Sequence, residues 1–114
     1  MNPNKIHKLR HQAFVRQSGR CCYCTLPIWE GDPAEFTARH CISLRKAKYL
    51  RCTAEHLIAQ KDGGCDTAQN IAAACFWCNH KRHWKRQDKA PSPEKYKNRV
   101  TQLIAERRWA HYAK

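Results

Sequence analysis

The chain has 114 residues, which is one domain's worth. A domain that small buries little apolar surface, so something besides packing is expected to staple it. Lys and Arg number 22 against nine Asp and Glu, for a net charge of +13, a pI of about 9.7 and a mean hydropathy of −0.84. This profile excludes a bilayer-spanning helix, which needs about 20 consecutive apolar residues, and suits a polyanionic partner such as DNA or RNA.

In chain order, the opening MNPNKIHKLRHQAF is basic and polar, with no apolar stretch of the kind a secretory signal carries, so a cytoplasmic location is expected. Ile6, Leu9, Ala13 and Phe14 recur at helical spacing, predicting an amphipathic helix from Asn4 to Gln17 that stops at Ser18-Gly19. Two short helices are predicted next, from Asp32-Pro33 to His40 and from Ser43 to about Cys52, each opened by an N-cap residue. Thr53 to Ile58 is β-capable, Lys61 to Asp66 is a turn, and Asn70 to Ala74 is a second strand. A helix through Cys78 to Arg86 completes a β, β, α order. Ala90-Pro91 breaks the chain, and Ser92, Pro93 and Glu94 open a final helix that is predicted to run to about Arg108.

Eight cysteines in so short a chain mean a disulfide framework or metal ligation. With a reducing compartment expected, metal is the better reading. Cys21 and Cys24 form one C-x-x-C pair and Cys75 and Cys78 another. Two such pairs supply the four thiolates of a closed tetrahedral structural zinc site. Fifty residues separate them, against about 15–20 in a simple zinc ribbon, so one zinc would tie off a long loop. Cys22, Cys41, Cys52 and Cys65 lack knuckle spacing and read as buried small apolar residues or free thiols.

Between the knuckles and just past the second lie an acidic-His pair (Glu55-His56), a Gly-Gly turn, Asn70 at the head of an apolar stretch, and C-x-x-C-N ending at Asn79. This ordered set resembles the HNH (ββα-metal) nuclease family, in its members held by two C-x-x-C knuckles, over Cys21 to about His83. The resemblance implies an α+β fold of one domain, 1–114. Its ββα-metal core (21–88) would be stapled by a four-cysteine zinc and flanked by basic helices at 1–20 and 89–114. It also implies a metal-dependent endonuclease that hydrolyses phosphodiester bonds of DNA. His56 matches the general base, a role suited to the one side chain that ordinarily changes charge near neutrality. Asn70 matches the residue that holds strand and loop in register. Glu55, Asn79 and His83 match ligands of a catalytic cation, Mg²⁺ or Mn²⁺, with Asn79 and His83 at i, i+4 on one helix face. His80 competes with Asn79 as first helical ligand, and His83 has the alternative of contacting phosphate. Glu55 stands where Asp or His is commoner in the family. Because neighbours on a regular strand point to opposite faces, a twist or bulge is expected to bring Glu55 and His56 together.

The stretch from Lys81 to Lys114 holds eleven Lys or Arg against Asp88, Glu94 and Glu106, a net +8. Lys81, Arg82, Lys85 and Arg86, then Arg99, Arg107 and Arg108 along the final helix, are candidate phosphate contacts. In this reading the final helix is a binding arm beyond every proposed metal ligand. Trp77, Trp84 and Trp109 read as core or interface aromatics, with Trp84 able to stack on bases as well. A homodimer or a place in a larger nuclease system would fit the same chemistry. The rival from another class is a non-catalytic zinc-dependent module that binds DNA or RNA.

Overall fold

A computed structural model of the chain describes residues 3–84 and 89–109. Its centre is a two-stranded antiparallel hairpin, β1 (Cys52–His56) and β2 (Ile71–Cys75), paired one to one from Cys52 opposite Cys75 to His56 opposite Ile71. A lone hairpin is marginal in water, and this one is covered. Helix α1 (Pro3–Arg16) and helix α4 (Phe76–His83) both pack on it. All five residues of β2 are buried, and three are alanines, so neighbouring backbone can approach closely. The outer edge of β2 is satisfied by other chain segments. Gln17 Nε2 donates to Ala73 O (2.8 Å), Ala73 N donates to Gln17 Oε1 (3.0 Å), and Cys22 N donates to Ala73 O (3.0 Å). An open edge is thereby closed without a third strand.

The insert between the knuckles follows its capping residues. Asp32 caps α2 (Pro33–His40), accepting from Ala34 N at 2.9 Å, with Pro33 at the first helical position. Ser43 caps α3 (Leu44–Ala47), accepting from Lys46 N at 3.1 Å, and one 3-10 turn (Lys48–Leu50) leads into β1. Trp29 Nε1 donates to Ala47 O (2.8 Å), and Ala47 and Leu50 are buried, so the insert folds back on the hairpin.

Ser92 caps α5 (Pro93–Ala105), as its sequence pattern predicts, but two expectations for this segment are corrected. The helix stops at Ala105 and not near Arg108. Arg107 has φ of 58°, a left-handed conformation that no continuing helix accommodates. Nor is α5 a free arm. Tyr96 and Val100, four apart, are buried; the Tyr96 hydroxyl donates to Cys78 O (2.7 Å) and its ring packs edge-on against Tyr23 at 4.9 Å. α5 therefore roofs both knuckles. No helix among the described residues is long and apolar enough to cross a membrane.

Candidate functional site

The two C-x-x-C pairs meet. The Sγ atoms of Cys21, Cys24, Cys75 and Cys78 all lie within 4.8 Å of one another and all four residues are buried. Cys24 Sγ and Cys75 Sγ are 3.9 Å apart, close to the roughly 3.8 Å edge of a tetrahedron with 2.3 Å zinc–sulfur bonds. Backbone amides aim at the sulfurs: Tyr23 N and Cys75 N donate to Cys21 Sγ (3.4 and 3.3 Å), and Cys78 N donates to Cys75 Sγ (3.3 Å), which also caps α4. Hydrogen bonds donated by Cys22, Cys24, Cys75 and Cys78 hold the Cys21 thiol far below its ordinary range, while burial pushes the Cys75 and Cys78 thiols well above theirs. A bound dication would offset the cost of ionising thiols buried in this way. The donor set fits zinc.

The other cysteines divide as their environments dictate. Cys52 is buried, and burial pushes its thiol up to about 12, which makes it inert. Cys22 is half-buried and its thiol is raised, first by its hydrogen bond to Cys21 and then by burial. Cys41 and Cys65 are exposed thiols.

Beside the cluster, a groove of about 300 Å³ is lined by Ala54, Glu55, His56, Ala59, Gln60, Lys61, Asn79 and His83. Four of the predicted site residues therefore share one wall system. Asn79 lines this groove and His80 does not. Asn79 Nδ2 donates to Thr53 Oγ1 and Ala54 O (both 3.1 Å), which leaves Oδ1 as the amide atom available to a cation. Of the expected twist or bulge, the bulge is absent. The ladder stays in register through His56, which sits at its last rung beside the loop.

Glu55 is only 1 % exposed and anchors a buried network. Its Oε2 accepts from the Tyr23 hydroxyl (2.9 Å) and from Arg82 Nη1 (3.2 Å), while its Oε1 lies 3.0 Å from His83 Nε2. Arg82, 2 % exposed, also donates to the carbonyls of His56, Leu57 and Pro91. The expectation that Arg82 contacts phosphate is corrected: its guanidinium is spent inside the fold. The signal was present, because Arg82 lies four residues after Cys78 and so shares that ligand's inward face. Tyr23 stands inside the first knuckle and answers Glu55 from across the core. Burial, then the negative charge of Glu55, pushes its hydroxyl far above its ordinary range, so it stays a donor.

His56 Nε2 lies 2.8 Å from Asp66 Oδ1, with both side chains less than one-fifth exposed. Asp66 was not among the predicted site residues; it sits in a turn at no diagnostic spacing. Asn70 binds the base of the same loop: Ile58 N donates to its Oδ1 (2.8 Å), and its Nδ2 donates to Ile58 O and Cys65 O (both 3.0 Å). Gly64 is packed into this knot, since a Cβ there would fall 1.7 Å from Ile58 O. The side chain of Asn70 thus sets the shape of the loop and does not line the groove.

The remaining candidate phosphate contacts are scattered. The Lys81 ammonium lies over the rings of Trp77 (4.7 Å) and Trp84 (5.4 Å). Arg99 and Arg107 are exposed, and Arg108 pairs with Glu106 at 3.1 Å. Lys85 and Arg86 lie outside the described residues.

No family model, curated protein or solved structure matches the chain. The fold and the cluster together define a small α+β protein built on a two-stranded antiparallel sheet, with a four-cysteine site that could hold a metal such as zinc.

Proposed function

We propose that the chain is a zinc-stapled nuclease of the HNH type that hydrolyses phosphodiester bonds of nucleic acid. The observation that carries this reading is the convergence of Glu55, His56, Asn79 and His83 on one groove beside the four-thiol cluster. Zinc would be structural, held by Cys21, Cys24, Cys75 and Cys78. Among the described residues those cysteines are the cluster of three or more Cys, His, Asp or Glu side chains placed to share an ion. The groove offers a second cation a mixed set instead: Glu55 Oε1, Asn79 Oδ1 and the His83 ring. Glu55 Oε1 and His83 Nε2 lie 3.0 Å apart, so the two side chains would hold such a cation together. Oxygen-rich donors of this kind suit Mg²⁺ or Mn²⁺, and when bound such an ion stabilises charge developing on the phosphate and the leaving oxygen.

The protein's own part is proton transfer and placement. With Nε2–H donating to Asp66, His56 keeps the Nδ1 lone pair to accept a proton from the attacking water. Asp66 holds the ring in that tautomer. Asn70 keeps the loop carrying Asp66 closed against the end of β1. Lys61, on the groove wall, supplies a cation to the phosphate. One observation favours the non-catalytic alternative, a zinc-dependent nucleic-acid-binding module: Glu55 is already charge-paired with Arg82.

The deciding experiment incubates zinc-loaded protein with supercoiled plasmid and with a single-stranded DNA circle, with and without Mg²⁺ or Mn²⁺. Metal-dependent nicked, linear or shortened products that vanish with His56→Ala are expected. Intact substrates under every condition would leave the binding module as the function.

A further inference from the structure

Phe76, His80 and Trp84 recur every four residues, so they form one stripe along and just past α4. The Phe76 and His80 rings are stacked at 5.4 Å with 12° between planes, and His80 meets Trp84 at 4.7 Å. The stripe lines a depression of about 510 Å³ together with Arg51, Thr53, Asn79 and His83. Asn79 and His83 also line the groove that holds Glu55 and His56, so the two spaces share a wall. Among the described residues, those that line the depression include no carboxylate. The Arg51 guanidinium lies 5.7 Å from the Phe76 ring centre, and Lys81 stands over Trp84.

Aromatic residues four apart on a helix ordinarily pack against one another as part of a core. Here the stripe ends on Trp84, which is 48 % exposed beside an open depression. A ligand suited to it has a flat aromatic face for the rings and an anionic edge for the cations, which is the chemistry of a nucleotide. In a duplex the base faces are covered by stacked neighbours, and only an unpaired base can offer one to a side chain.

We infer that the Phe76–His80–Trp84 stripe seats an unpaired nucleobase, so that the preferred substrate is a single-stranded stretch of nucleic acid. The inference rests on the proposed function for where the adjoining phosphate goes, toward Asn79, His83 and the groove. Base stacking gives affinity, and the shared wall sets the distance from the stacked base to the scissile bond.

The test is fluorescence anisotropy of the zinc-loaded protein with labelled 12-nucleotide DNA and RNA single strands and with the matching DNA duplex, without added Mg²⁺ or Mn²⁺. At least one single strand should bind about tenfold tighter than the duplex. Trp84→Ala should remove about that factor for the single strand and leave the duplex unchanged, while Trp84→Phe keeps most of it. On the unsubstituted protein, quenching of a 2-aminopurine in the strand reports stacking independently of how the variants fold. Equal affinity for single strand and duplex, a Trp84→Ala protein of unchanged single-strand affinity, or unquenched 2-aminopurine overturns the inference. Failure of the nuclease reading looks different: Trp84-dependent single-strand binding would persist with no strand cut under any metal.

Discussion

The four-cysteine cluster and the polar groove draw on neighbouring positions of the same short helix, Cys78 on one side and Asn79 with His83 on the next, yet they are built on different principles. In the cluster the sulfurs are buried and receive backbone N–H groups. In the groove each polar side chain is answered by another: Glu55 by Tyr23, Arg82 and His83, His56 by Asp66, Asn79 by Thr53. Four buried thiols brought this close could hold a metal ion such as zinc. A site whose polar groups answer one another is held in shape by the protein itself.

Removing a thiol should produce the largest effect. Cys21→Ser or Cys75→Ser should abolish zinc binding and leave the chain unfolded, because a structural zinc contributes about 10–16 kcal/mol in small zinc domains and a whole domain has only about 5–15 kcal/mol to lose. Elemental analysis and far-UV circular dichroism read both losses. The wild-type cluster should also release zinc as pH falls. Burial favours the protonated forms of Cys75 and Cys78, protons therefore compete with the ion, and retention is greatest at higher pH. Native dichroism after complete chelation of zinc would break the contrast between the two sites.

Arg82→Ala comes next, with a loss of about 3–5 kcal/mol in urea unfolding, since it strands the buried Glu55 carboxylate. Adding Glu55→Gln to it should restore part of the loss. A change within about 0.5 kcal/mol, the range of ordinary surface substitutions, would return Arg82 to the phosphate contacts. His56→Ala should lower cleavage by about 10²–10⁴-fold and leave zinc content and melting temperature in place. Asp66→Asn tests the same chemistry at one remove. A loss of about 10–100-fold in kcat, typical of residues that orient an imidazole, should come with KM unmoved, and a KM effect alone would make Asp66 a binding residue. At the small end, Cys41→Ser and Cys65→Ser, both exposed, should shift stability by no more than about 0.5 kcal/mol with zinc retained.

Much of the local structure was legible in the residues. The N-caps Asp32, Ser43 and Ser92, the prolines behind two of them, and the β, β, α order around the second knuckle all read directly, because caps and turns are decided by backbone sterics and hydrogen bonds within about four residues. The two C-x-x-C pairs were legible for a related reason: their internal spacing already places two sulfurs on one turn, and buried thiols in pairs have few other uses. The ends of elements were less so. α5 stops at Ala105 because Arg107 adopts a left-handed conformation, which no composition signal announced.

What the sequence by itself determined about this protein, then, is its element order, the two C-x-x-C pairs whose thiols cluster and the short stretch in which Glu55, His56, Asn70 and Asn79 must lie. The tertiary structure decided which charges answer one another. Arg82 turns inward to Glu55, Tyr23 reaches that carboxylate across 32 residues, Asp66 takes the ring of His56, and α5 closes over the knuckles through Tyr96. The physical reason is that a buried charge is stable only beside a specific partner, and which partner arrives is set by how the 50-residue loop between the knuckles folds back, not by spacing along the chain.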